Sequence, residues 1–347
     1  MARATSYWNY GDIPMGKIFP SLKNLKAYPQ YWNQTLALIE KAFKYQSAFN
    51  FKDDFITLMN EENANHLYIL TENEKVIAHL GVKIRDINIE DKRIPIAMMG
   101  GIAVDENHRG QGLFSYLMNE VKKIHHDDVS AFILWSDLPT MYEKHHFYLC
   151  GSQYPLTKKE EKNTYLHLTN PTENEKKQIQ NIHKNFFQKH FAYVERTELD
   201  WEQLFQSKSS QIWVNERENI TSYFVKNKGQ DLHNIIHEYA TLENRTEFLK
   251  QISHWGEVWM TQDYFHEENA HFQFLLSAGK KIDLLVNHLT EKDIVVEHVS
   301  GDECQFKFKG TDYIMSCSDF FSGVFGPARF SELKNNKDLF IAGWDSI

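Results

Sequence analysis

The chain has 347 residues, 42% of them apolar and 24% charged, a length for two ordinary domains and the composition of a globular protein. Its formal net charge of -9 argues against a nucleic-acid-binding surface and is compatible with a cationic small molecule or a lysine side chain as partner. No apolar run approaches the ~18 residues of a membrane span, and Met1 to Trp8 lack the apolar core of a signal peptide. Cys150, Cys304 and Cys317 are an odd set without metal-ligand spacing, so reduced thiols and a cytoplasmic protein are expected.

Residues 1–26 are aromatic and irregular (Trp8, Tyr10, Pro14, Phe19, Pro20) and read as an arm packed on the body. Pro29 opens a helix whose Trp32, Leu36, Leu38, Ile39 and Phe43 fall mainly on one side, and a second short helix is expected at 52–60. Strands follow at 66–71 and 76–85, the second with a period of two, and a polar hairpin at Glu90 to Arg93 returns the chain into a strand over 94–104. Gly100-Gly101 inside that strand suits a bulge. The strand runs into Val104-Asp105-Glu106-Asn107-His108-Arg109-Gly110-Gln111-Gly112-Leu113-Phe114, and Leu113, Leu117, Val121 and Ile124 then mark a helix.

Strand, glycine turn and helix together make an anion site. The first turn of a helix leaves its N–H groups without intrahelical partners, and the dipole adds positive charge there. Gly110 and Gly112 open the backbone to close approach, and Arg109 adds a planar cationic fork. A buried strand at 130–135 then ends at Ser136-Asp137, followed by a short helix at 139–145 and the segment Met141-Tyr142-Glu143-Lys144-His145-His146-Phe147-Tyr148-Leu149-Cys150-Gly151. His125-His126-Asp127-Asp128 and His145-His146 are poor chelates, because neighbours on a helix point apart, so no metal is expected.

Those two motifs, in that order and separation, resemble the GNAT superfamily of acyl-CoA N-acyltransferases. The resemblance implies an α+β fold, a mixed and mostly antiparallel sheet flanked by helices, with acetyl-CoA as co-substrate and the amine of a small molecule or peptide as acceptor. Two positions depart from the family pattern: Phe114 stands where a small residue is usual, and His146 where glycine is usual. The mycobacterial enhanced-intracellular-survival acetyltransferases resemble this chain in carrying a bulky residue at the first of these.

Asn170-Pro171-Thr172 is the best linker, and beyond it the order of elements restarts: a helix at 172–188, strands at 211–216, 220–226 and 234–241, a helix at 245–253 and a strand at 257–262. The expected division is a catalytic domain at 1–169 and a second, degenerate GNAT-like domain at 170–347. The second turn, Leu242 to Phe248, has no glycine and two carboxylates, so it should not hold coenzyme A. The run Asp319 to Pro327 is similar to the ending of such second domains, and the length leaves no room for that group's sterol-carrier-like third domain.

The resemblance implies roles. Arg109 and the amides of Gly110, Gln111, Gly112, Leu113 and Phe114 would cradle the pyrophosphate, and the open edge of Ile102-Ala103-Val104 would take the pantetheine amides. The Ile102 N–H would face the oxyanion, and Tyr142 would protonate the leaving thiolate, a phenol being close enough in pKa to a thiol. The base is open between Asp137, His79, a water relay to a surface carboxylate and, by resemblance to the enhanced-intracellular-survival group, the C-terminal carboxylate of Ile347. A longer-chain acyl-CoA donor and a silent coenzyme-A-binding regulatory protein are the rival functions.

Overall fold

The computed structural model describes residues 19–46, 48–156, 164–260, 271–300, 302–328 and 338–347. Trp8, Tyr10 and Pro14 of the expected arm lie outside these residues, as do 261–262 of the last expected strand. Phe19 at the arm's described end stacks on Tyr116 with ring centroids 4.5 Å apart.

Two tight turns build the first sheet. Asn73 and Glu74 (φ 48° and 60°) join Leu67–Glu72 to Lys75–Ile89, and Glu90 and Asp91 (φ 51° and 66°) join Lys75–Ile89 to Lys92–Val104. Two successive left-handed residues match the twist of the flanking strands, so the three strands close as antiparallel hairpins. The helix Leu113–His125 crosses over one face, and Ala131–Leu134 returns parallel to Lys92–Val104. Helix Trp32–Ala42 covers the other face. The expected helix at 52–60 is shorter, Phe51–Asp54; beyond it the amides of Asn60 and Asn63 bond the carbonyls of Ile56 and Leu58, and such side-chain bonds compete with helix. Ile124 of the expected apolar stripe is 48% exposed; the last helical turn instead directs His125 inward, its Nε2 2.9 Å from the Tyr68 hydroxyl.

The second half repeats this order. Helices Glu173–His190 and Glu198–Phe205, each opened by a threonine capping box, precede the antiparallel strands Gln211–Val214, Ser222–Lys226 and Ile235–Thr241. Helix Arg245–Ile252 crosses, and Glu257–Met260 pairs in parallel with Ile235–Thr241.

The residues at 169 and 170 do not separate two independent sheets. Ala131–Leu134 takes its outer partner, His271–Ala278, from the second half. Glu257–Met260 takes its outer partner from the end of Tyr148–Leu156, in the first half. Tyr148–Leu156 also pairs with His271–Ala278, so among the described residues fourteen strands join one continuous sheet. Between 282 and 325 stands a unit with no counterpart among the described residues of the first half: helix Ile282–Thr290, a separate meander of Ile294–Ser300, Glu303–Phe308 and Thr311–Ser316, and helix Cys317–Phe325. Its Leu285, Phe306 and Phe320 share a core with Leu38, Ile39 and Ile96 of the first half.

The final ten residues are threaded between the halves. Asp338–Phe340 pairs in parallel with Phe191–Val194, and beyond it Ile341, Ala342, Trp344 and Asp345 are buried. The Arg196 guanidinium donates to Asp345 (2.8 and 2.7 Å) and to Glu238, which also accepts from the Tyr223 hydroxyl at 2.7 Å. Burial works against its charge, but Asp345 and Glu238 outweigh this and hold its pKa above the ordinary value. The Lys228 ammonium grips the same tail through the carbonyls of Gly343, Trp344 and Ser346.

A second buried lysine ties the first half to the strand it receives. Lys122 Nζ donates to the carbonyl of His145 (2.8 Å) and the hydroxyl of Ser277 (2.7 Å), beside the Phe147 ring. Burial pushes its pKa down to about 7, whereas an unfolded chain holds that proton to about 10. The unfolded state therefore binds more protons between those values, and stability rises with pH across them, by at most ~1.4 kcal/mol per pH unit for this group. Denaturant unfolding of the wild type between pH 7.5 and 9 should show a steeper rise than unfolding of Lys122→Met, and equal slopes would contradict the assignment.

Candidate functional site

The site begins with an irregularity in one strand. The hairpin register pairs Gly81 with Gly100 and His79 with Ala103, so one residue of Lys75–Ile89 faces two of Lys92–Val104. The extra residue is accommodated at Gly101, which takes φ +60°, a conformation that suits glycine. One inserted residue reverses the side-chain alternation. Before the bulge Ile96 and Met98 face the helix Trp32–Ala42, while Ala97 and Met99 face the helix Leu113–His125. After it Ala103 joins the first group, and Ile102 and Val104 lie on the second face.

The same strand loses its parallel partner here. Ala131–Leu134 is in register with Ile96, Ala97 and Met98 only, and the strand itself ends at Leu134. Met99 to Val104 thus present an edge to a gap, with Ile102 and Val104 half-buried along it.

The turn that follows is open. Gly110 (φ 70°) and Gly112 (φ 83°) are left-handed, and a Cβ on Gly110 would meet nothing within 4 Å. Gly112 caps the helix Leu113–His125 and brings no side-chain oxygen to its first amides. Arg109 is exposed, its Nε 3.4 Å from the Val104 carbonyl, and Gln111 bonds back to the Asn107 carbonyl at 3.3 Å. Asp105 is held below the usual carboxylate range, chiefly by its hydrogen bond with His108, which in turn reaches Glu72.

Phe114, in the first helical turn, meets Tyr142 edge-on at 5.5 Å and His145 at 5.1 Å. Tyr142 is buried on the short helix Pro139–Glu143. Burial raises its pKa, opposed by a hydrogen bond with Ser136, so the phenol stays protonated through neutral pH. His145 is held by Ser115 and Asn119, and burial drives its pKa down to about 4. His146 has φ 60°, the left-handed conformation for which glycine is the easier residue.

On the opposite face stands the end of the tail. A Cβ on Gly100 would lie 2.6 Å from the carbonyl carbon of Ile347 and 2.7 Å from its oxygen. Of the other base candidates, Asp137 is exposed after Ala131–Leu134, near enough to Asp231 to raise that carboxylate's pKa, second only to burial. His79 is fully buried, and desolvation drives its pKa down to about 4. The structure thus gathers Ile102, Val104, Phe114 and Tyr142 on one face and Ile347 on the other. The contribution of Ile347, Lys228 and Arg196 rests on partners more than a hundred residues apart, which no local pattern announces. Glu40, Tyr45, Asn50 and Asp53 of the first half, with Lys208 of the second, line an open groove of about 520 Å³, where Asp53 and Lys208 pair at 2.9 Å.

The second turn differs in kind. Asn244 caps its helix by accepting from the Glu247 N–H, and Arg245 is buried over the rings of Phe191 and Phe186. Among the described residues no group of three or more His, Cys, Asp or Glu side chains is arranged to hold a metal, and no helix is long and apolar enough to cross a membrane.

A family model described as an acetyltransferase (GNAT) domain matches residues 25–150, the span that contains the bulge, the turn and Tyr142. No curated protein matches the sequence. Among solved structures, the chain is similar to a GCN5-related N-acetyltransferase from Anabaena variabilis (13% identity, 85% of each chain, TM-score 0.56). It is also similar to one from Kribbella flavida (12% identity, 85% of this chain and 83% of that one, TM-score 0.58). Eis1 from Mycobacterium abscessus shares 10% identity over 85% of each chain, with a TM-score of 0.56. At these identities the likeness is one of fold. The chain therefore carries a GNAT acetyltransferase domain at residues 25–150, within a fold that it shares with Eis1.

Proposed function

We propose that the chain is an acetyl-CoA-dependent N-acetyltransferase acting on a primary amine of a small molecule or peptide by direct attack on the thioester. The observation that carries this reading is the two-faced strand: past the bulge, an open edge lies between Tyr142 on one face and Ile347 on the other. An acyl transfer needs one group to take the amine's proton and one to give a proton to the leaving sulfur, and this edge has a candidate on each face.

Acetyl-CoA supplies the activated acyl carbonyl. The open space at Gly110 and the uncapped amides after Gly112 fit a pyrophosphate, with Arg109 as counter-charge and the amides of Gly110 to Phe114 as donors. The edge Ile102-Ala103-Val104 would bond the pantetheine amides as an added strand does. The Ile102 N–H would donate to the developing oxyanion, and the Tyr142 hydroxyl would give its proton to the departing sulfur. Where Ile347 ends the chain, its carboxylate would take the amine's proton; the buried His79 and the exposed Asp137 fit that role less well. Phe114 and Leu117 fill the space near Tyr142 and His145, which favours a short acyl group. Residues 1–169 would carry the chemistry and 170–347 the acceptor side, apart from the strand His271–Ala278 and the tail, both returned to the first sheet.

An acceptor screen with acetyl-CoA, covering aminoglycosides, polyamines, amino acids and lysine peptides and read as free thiol, tests the activity; coenzyme binding without thiol release from any amine would favour a regulatory protein. Tyr142→Phe should lower kcat by ~10²-fold and leave acetyl-CoA affinity intact. Unchanged turnover would remove Tyr142 from the mechanism. Arg109→Glu should weaken acetyl-CoA binding at least ~10-fold in titration calorimetry, about 1.4 kcal/mol, with no loss of stability from so exposed a residue. Two glycines added after Ile347 should lower kcat without changing acetyl-CoA affinity, and full activity would rule out a terminal carboxylate base.

A further inference from the structure

His79 is buried at the bulge without a charged partner. Its Nδ1 lies 2.7 Å from the Gly101 carbonyl oxygen, and a Cβ on Gly101 would meet the imidazole Cε1 at 3.2 Å and Ile39 Cδ1 at 3.5 Å. A carbonyl only accepts, so Nδ1 carries the hydrogen. Nε2 is then left as an acceptor with no partner among the described residues. An orphaned buried nitrogen costs stability, so an apolar residue of similar size would fill this space better.

What the imidazole does hold is the direction of one peptide group. The carbonyl and N–H of a trans peptide point opposite ways. The carbonyl of the Gly101–Ile102 peptide is drawn to the face of Ile39, and its N–H, that of Ile102, is thereby turned toward the face of Phe114 and Tyr142. Gly101 at φ +60° permits this rotation, because its left-handed backbone carries no side chain on the imidazole side.

We propose that His79 is a positioning residue: through its Nδ1–H bond to the Gly101 carbonyl it aims the Ile102 N–H at the acyl oxygen. This rests on the acyltransferase reading above. The test compares His79→Asn, whose amide nitrogen can replace Nδ1, with His79→Gln, whose nitrogen falls nearer Nε2, and with His79→Leu. Acetyl-CoA-dependent thiol release should fall about 10- to 100-fold in kcat for the Leu and Gln variants, approaching the ~10²-fold cost of losing an oxyanion donor. KM for acetyl-CoA should stay within about twofold, since the pyrophosphate turn is untouched, and His79→Asn should recover most of the loss. Wild-type kcat in His79→Leu, or no recovery in a folded His79→Asn, would overturn the proposal. The orientation is read separately in crystal structures: the Gly101 carbonyl should stay in place in His79→Asn and rotate in His79→Leu or His79→Gln. A carbonyl unmoved in those two variants would overturn the proposal even if the wild type released no thiol, whereas absent wild-type activity alone would overturn the acyltransferase reading.

Discussion

Every strand edge in a sheet must find partners for its amides and carbonyls, and the open edge in this sheet exists because one strand outruns its neighbour. Ala131–Leu134 is paired along its whole length with His271–Ala278, from Leu134 opposite Leu275 to Ala131 opposite Ala278. Its other edge stays with Lys92–Val104 for three register pairs only. That leaves Met99 to Val104 with an edge suited to a ligand carrying amides. The exchange is reciprocal, since Tyr148–Leu156 closes the second half's sheet against Glu257–Met260. Neither half completes its sheet from its own sequence, so the joint between the halves is part of one continuous sheet.

The tail crosses that joint on buried charges. Arg196 faces Glu238 and Asp345 with side chains almost wholly out of water. Such clusters repay little net stability, because the Coulombic gain offsets a large desolvation cost. What they do well is fix geometry. A guanidinium fork bonding two carboxylates admits few arrangements, whereas an apolar tail in the same groove can slip by a residue. Slippage would matter here, because the register of Asp345 sets where Ile347 meets Gly100.

Much of this was legible in the chain. The period-two run after Val76, the glycine pair in the strand and the R-G-x-G turn each act locally, and local patterns survive in a sequence. Three things were not legible. Lys122 sits on a helix between Val121 and Lys123, where a lysine ordinarily faces solvent; only the incoming Ser277 and the His145 carbonyl show it to be buried. The partner of His271–Ala278 is a matter of topology, since an apolar run can join either edge of either sheet. His79 lies in the period-two run, but the hydrogen bond it makes depends on a bulge in the neighbouring strand. His146 is the converse: it departs from the glycine of the resembling pattern, and its φ of 60° is a conformation that glycine adopts more easily.

The two halves repeat one order of elements yet offer an anion different things, and capping chemistry accounts for the difference. In the first turn the cap is Gly112, with no side-chain acceptor, so the leading amides of the helix remain for a ligand. In the second the cap is Asn244, whose side chain takes the Glu247 N–H at 3.1 Å. The adjacent Arg245 turns inward onto Phe191 instead of outward, and Glu243, bonded to Thr221, adds negative charge at the surface. An anion approaching that end would meet a satisfied donor, a withdrawn cation and a carboxylate. With its own turn closed in this way, the second half contributes to the first through what it lends it: a strand and a tail.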